Sequence, residues 1–195
     1  MADTPPLDLH PLARQLKSLM YGVADETLAA PTPCAQWTVG DLLDHLMALS
    51  VAFTRAARGP DRAADGDPPP EPSAARLHPQ WRSRLPGQLN GLADAWADPE
   101  AWTGTATVGG VTLPADRMGL FGANELTMHG WDLARATGQD FAADPRLLET
   151  LVGFLSQLPA AGTPGLFGPV VPIDDEEALL DRAVALTGRD PAWRR

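Results

Sequence analysis

The sequence holds one cysteine, one lysine and one tyrosine in 195 residues. A single thiol, Cys34, excludes an intramolecular disulfide and the paired-cysteine signature of structural zinc sites. The remaining basic residues are arginines spread along a chain of formal net charge -10, which excludes the basic patch that tracks nucleic-acid phosphates. No apolar run is long enough to span a bilayer, and the opening Met1-Ala-Asp-Thr-Pro-Pro lacks the basic and apolar regions of a signal peptide. Glycine-rich phosphate loops and nucleophile elbows are missing too. The expectation is a cytoplasmic protein that meets small molecules, with no nucleic-acid or membrane partner; nothing in the sequence fixes its oligomeric state.

Hydrophobic residues make up 44% and charged residues 21%, the balance of a chain that folds on its own. The length suits one domain, residues 1–195. Leu12, Leu16, Leu19 and Met20 recur at helical spacing and predict a helix from about Leu9 to Val23. The prolines of Ala30-Pro-Thr-Pro-Cys-Ala-Gln-Trp37 make that stretch an extended lead-in. Thr38 with Asp41 reads as a helix cap, so a second helix runs from Val39 to near Arg58, with Leu42, Leu43, Leu46, Leu49 and Phe53 on its apolar face.

Asp61 to Ser73, rich in Pro, Asp and Ala, reads as a mobile surface loop. A third helix is expected over Ala74 to Trp96, bent or interrupted by Pro79 and Pro86. Gly109-Gly110 between alternating β-branched residues predicts a short hairpin. A fourth helix follows from Ala115 to Thr137, bounded by Pro114 and Gly138. Two more, near Pro145 to Leu158 and Asp174 to Thr187, flank a Pro/Gly-rich connection. The fold class is therefore all-α: an antiparallel four-helix bundle over about residues 1–140 with a small β-hairpin, and a C-terminal helical extension over about 141–195.

The fourth helix carries the chemistry. At about 100° per residue, Arg117, Asn124 and Arg135 share a stripe that is the natural solvent face, while Glu125 and His129 point elsewhere, with Met118, Phe121, Gly122 and Asp132. A carboxylate directed inward needs a cation, a hydrogen-bond network or a raised pKa. Spacing of four lets a Glu oxygen and a His nitrogen converge on one ion, although the same spacing also fits a surface contact or a satisfied polar pair. His45, at the edge of the second helix's apolar stripe beside Ala48 and Ala52, is the candidate third ligand; its alternative is a histidine bonded to backbone or solvent.

His45, Glu125 and His129 make a mixed nitrogen and oxygen set suited to zinc or another first-row divalent metal, with a coordination position left open for water, thiol or substrate. Asp132 either orients a ligand or is an exposed helix-end carboxylate. Cys34 reads as a small buried hydrophobe, with a ligand or reactive thiol as the alternative. Trp37 and Trp131 are packing anchors or pocket borders, and His10 and His78 are surface or structural residues.

Two segments, Pro31-Thr-Pro-Cys-Ala-Gln-Trp-Thr-Val-Gly-Asp-Leu-Leu-Asp-His45 and Glu125-Leu-Thr-Met-His-Gly-Trp-Asp-Leu-Ala-Arg-Ala-Thr-Gly138, resemble the mycothiol-dependent maleylpyruvate isomerase N-terminal-domain family of the DinB-like superfamily. The tail from Leu180 to Trp193 resembles a short actinobacterial metal-binding subgroup of it. The resemblance implies a four-helix bundle and a divalent metal at His45, Glu125 and His129, used to activate a low-molecular-weight thiol such as mycothiol or bacillithiol. It also implies that the isomerase carries a substantial further C-terminal domain, for which the residues after Gly138 are too few, and this counts against maleylpyruvate isomerisation itself. The leading expectation is a metal-dependent thiol transferase or isomerase-type enzyme acting on an electrophile. A metal-dependent hydrolase using bound water and a noncatalytic metal or small-molecule binding protein are the alternatives.

Overall fold

The computed structural model describes residues 7–59 and 70–195. The elements in order are α1 (His10–Tyr21), α2 (Val39–Ala57), α3 (Trp81–Trp96), β1 (Thr105–Val108), β2 (Val111–Pro114), α4 (Ala115–Thr137), α5 (Pro145–Leu155) and α6 (Leu179–Leu186). α2 starts where its cap demands. Thr38 Oγ1 accepts from the Asp41 amide while the Asp41 carboxylate accepts from the Thr38 amide at 2.7 Å, a reciprocal capping box. α4 stops at Gly138, and β1 and β2 pair antiparallel with Val108 opposite Val111 across Gly109-Gly110, both at positive φ.

Each bundle helix packs on two others: α1 and α2 both lie against α3 and α4. The antiparallel pairs are α1 with α3, where His10 meets Asp94 and Lys17 meets Asn90, and α2 with α4. α2 and α3 run side by side in the same direction, because their C-terminal ends meet where Trp96 Nε1 donates to the Phe53 carbonyl at 3.0 Å. Parallel neighbours need a crossover as long as the helix, and the 58–80 connection supplies it. Its far end is pinned to the first turns of α2: the Ala74 amide donates to Asp41 and the Ser73 amide to Asp44. Residues 61–69 of the loop expected over Asp61 to Ser73 lie outside the described residues.

Leu16, Leu42, Leu43, Leu46, Leu85, Leu89, Leu92 and Leu126 are fully buried between the four helices. Burial of such a side chain contributes roughly 1.5–3 kcal/mol, which explains why a chain with 20 prolines still closes a bundle. The expected third helix is shorter than its pattern. A single 3-10 turn covers Ala74–Arg76, the break falls around Pro79, and α3 continues through Pro86 without interruption. Pro86 is half-buried as the sixth residue of α3, where its missing N–H forgoes the bond to the Arg82 carbonyl, and the helix carries that loss without ending.

One expectation is corrected. The supposed solvent stripe of α4 is covered: Asn124 is 1% exposed, and Arg135 lies over the Trp131 ring and donates to the Pro191 carbonyl of the tail. A wheel drawn for one helix does not register that α5 and the tail close over that side. Among the described residues no helix is long and apolar enough to cross a membrane.

Candidate metal centre

Glu125 and His129 lie one turn apart on α4, and the antiparallel pass of α2 brings His45 opposite them. The lead-in before α2 supplies a cover. Pro31 and Thr38 bridge each other, the Thr32 hydroxyl donates to the Trp37 carbonyl at 2.9 Å, and the Trp37 amide donates to the Cys34 carbonyl at 3.0 Å. Closing that tight loop holds Gln36 at φ 81, a left-handed conformation that costs a non-glycine residue on the order of 1 kcal/mol. The result places Trp37 over both imidazoles, with ring centroids 4.8 Å from His45 and 5.7 Å from His129.

His45 Nε2 lies 3.2 Å and His129 Nε2 3.1 Å from the same Glu125 Oε2. The three ligand atoms all fall within 4.8 Å of one another. Metal–ligand bonds of about 2.0–2.2 Å at tetrahedral angles separate ligand atoms by roughly 3.3–3.6 Å. The two distances to Glu125 Oε2 lie within a few tenths of an ångström of that range and every separation is at most 4.8 Å, so these side chains could close on one divalent ion, and a set of two imidazoles and one carboxylate is of the kind that zinc takes. His45 and Glu125 retain 24% and 22% side-chain exposure against 6% for His129, so the cluster opens on the His45 and Glu125 side.

Asp132 resolves one alternative. It is wholly buried, with Oδ2 3.0 Å from His129 Nδ1, and is no exposed helix end. Burial pushes its pKa up, but the charge of Arg189 and the hydrogen bond from His129 outweigh burial and hold it below the usual carboxylate range. Burial likewise opposes ionisation of Glu125, yet the hydrogen bonds and charges of His129 and His45 leave its carboxyl well below the ordinary value. For His129 burial lowers the pKa, and the hydrogen bonds to Asp132 and Glu125 reverse it to a net rise. Burial prevails at His45, whose pKa is lowered. A histidine with Nδ1 toward a buried carboxylate keeps that nitrogen as donor and turns the Nε2 lone pair toward the cluster.

Cys34 is half-buried in the lead-in loop, and burial pushes its thiol up to about 11. His10 bridges Asp8 and Asp94 at the surface, and His78 Nδ1 accepts from the Gln80 amide at the start of α3. Trp131 is a packing anchor under Arg135, whereas Trp37 borders the cluster. Sequence reasoning did not find Arg189, which meets Asp132 from 57 positions away. No periodicity or motif signals a pair so distant in the chain.

The profile described as mycothiol maleylpyruvate isomerase N-terminal domain matches residues 9–134, more than half of the chain. Uncharacterized proteins from two strains of Mycobacterium tuberculosis are each 28% identical over 191 residues, covering 94% of this chain and 97% of theirs. The crystal structure of the mycothiol-dependent maleylpyruvate isomerase superposes with a TM-score of 0.61 at 16% identity, over 94% of this chain and 88% of that one. A histidine-to-alanine mutant of that enzyme gives 0.60 at 17%, over 94% and 87%. These superpositions establish a shared fold, and at 94% of this chain the match takes in part of the region after Gly138. With its profile match running from α1 through most of α4, this chain belongs to the mycothiol maleylpyruvate isomerase N-terminal domain family.

Proposed function

We propose that the protein is a divalent-metal-dependent enzyme, with zinc first among the candidate ions, that uses a low-molecular-weight thiol such as mycothiol in a transfer or isomerisation reaction on an electrophile. The observation that carries this reading is the convergence of His45, Glu125 and His129 edge to edge beneath Trp37. Family membership supports the thiol, because the structural neighbour is by its description mycothiol-dependent. A bound divalent ion would supply the positive charge that lowers the pKa of a coordinating thiol.

The chain's own residues supply the rest. Asp132 orients His129 by accepting its Nδ1 proton, Trp37 limits water above both rings, and the open side at His45 and Glu125 admits reactants. Burial pushes Cys34, the only thiol in the chain, up to about 11, which supports a reacting sulfur brought by a second molecule.

The test is metal content by elemental mass spectrometry on protein purified without chelators, alongside His45→Ala, Glu125→Ala and His129→Ala. The expected result is close to one ion per chain in the wild type and its loss in each variant, with thiol consumed in the presence of an aryl-halide electrophile only by the metal-loaded form. Absence of metal after reconstitution with zinc, cobalt and manganese would overturn the reading. Turnover of an ester without thiol, abolished by chelation, would point to water as the nucleophile instead.

A further inference from the structure

The C-terminal extension reaches the candidate metal centre through one side chain. α6 ends in a built turn: the Gly188 amide donates to Ala185 O at 3.0 Å and the Arg189 amide to Val184 O at 3.3 Å, the paired bonds of a Schellman motif. Gly188 sits at φ 82 with Gly168 packed on it, so a Cβ there would come within 2.6 Å of the Gly168 backbone. The turn is therefore fixed in place, and it aims Arg189 at α4.

Arg189 grips Asp132 fork to carboxylate, with Nε to Oδ1 and Nη2 to Oδ2 both at 2.9 Å. Nη1 donates to Thr187 Oγ1 at 3.0 Å, and that hydroxyl is itself held on Val184 O at 2.7 Å. The bidentate grip sets the plane of the carboxylate, and the same Oδ2 then faces His129 Nδ1 at 3.0 Å. A guanidinium with 12% exposure and donors directed at Asp132 and Thr187 is placed to hold the protein, not a substrate.

We infer that Arg189 is a positioning residue of the metal centre. Through Asp132 it fixes the ring of His129, so a segment beyond the matched residues 9–134 governs how tightly and in what geometry the ion is held. The inference rests on the metal reading proposed above. A lysine at this position would preserve the charge but not the planar fork.

The experiment loads cobalt(II) into the full-length wild type, Arg189→Lys, Arg189→Gln and the charge-neutral pair Asp132→Asn with Arg189→Gln, with near-UV circular dichroism of each metal-free protein as the check on folding. Cobalt affinity and the visible d–d absorption band are recorded. Arg189→Gln should bind roughly 10–100-fold more weakly, with a shifted band, as expected when a partner behind a ligand is lost. Arg189→Lys should recover part of the affinity without restoring the band. The neutral pair avoids a buried unpaired charge and should show the same altered band. A folded Arg189 variant with wild-type affinity and band would overturn the inference while leaving the metal reading intact. A wild type that takes up neither cobalt nor zinc would overturn the metal reading itself. Loss of the native near-UV spectrum in all three variants would mark Arg189 as a folding residue only and would also overturn the inference.

Discussion

The two histidines of the cluster are held in opposite ways. His129 is 6% exposed, with a carboxylate at each ring nitrogen: Glu125 at 3.1 Å and Asp132 at 3.0 Å. His45 is 24% exposed, and among the described residues its ring makes one hydrogen bond, to Glu125 at 3.2 Å, with Trp37 tilted against it. Behind His129 the chain of contacts continues into Arg189 and the α6 turn, whereas among the described residues no second hydrogen-bond partner stands behind His45. One imidazole is set by the fold, and the other has room to adjust. In the proposed metal site, pre-organising one histidine would remove part of the ordering cost of binding, and leaving the other yielding would keep a way in.

The largest expected effect comes from breaking the rigid side. Asp132→Ala strands Arg189 as a buried, unpaired charge and should lower the unfolding free energy by about 3–5 kcal/mol in urea titrations of the metal-free protein. The matched change beside His45 is Asp44→Ala, which removes a carboxylate 3.5 Å from a half-exposed Arg76 and one bond to the Ser73 amide. Its cost should stay near 1 kcal/mol. Equal losses from the two substitutions would contradict the division into a fixed and a yielding half.

A smaller effect sharpens the same division through pH. In metal-free protein the lowered pKa of His45 means that the unfolded chain takes up a proton the folded chain refuses, so stability falls as pH drops below about 6.5. The raised pKa of His129 acts in the other direction: its contribution is fully present below about 6.5 and is lost as pH rises through the folded value. Urea midpoints measured in the presence of chelator should therefore peak near neutrality. His45→Ala should flatten the acid limb and His129→Ala the alkaline one. If both substitutions flatten the same limb, the two rings do not differ as described.

The parts of this arrangement that were legible in the sequence are those written locally. Thr38 and Asp41 announce the start of α2, Gly109-Gly110 the hairpin and Gly138 the end of α4, because each depends on residues within one turn of itself. The Glu125 and His129 pair was readable for the same reason, and His45 joined it through its place on an apolar stripe. Arg189 was not readable, since its contact with Asp132 depends on the route of the whole C-terminal extension. Asn124 reads as a solvent residue for the same physical reason: helical periodicity gives the direction of a side chain but not what later folds over it. The break near Pro79 and the unbroken passage through Pro86 show that a proline's effect depends on which backbone amide it removes.

Cys34 should give the smallest effect of all, although it lies in the loop that carries Trp37 over the yielding His45. What that loop uses from Cys34 is its backbone carbonyl, which accepts from the Trp37 amide and the Thr32 hydroxyl and survives any side-chain change. Burial raises the thiol to about 11, with Asp132 and Glu125 adding to the rise and Arg189 opposing it. At pH 8 a thiol so placed should react with iodoacetamide about two orders of magnitude more slowly than a free cysteine, in proportion to its thiolate fraction. Cys34→Ala should leave metal content unchanged, thiol-dependent turnover within about twofold, and stability within about 1 kcal/mol, the cost of trimming one half-buried atom. Fast alkylation accompanied by loss of metal would instead place this sulfur on the ion. The yielding side of the site would then have an anchor of its own, and the contrast with His129 would disappear.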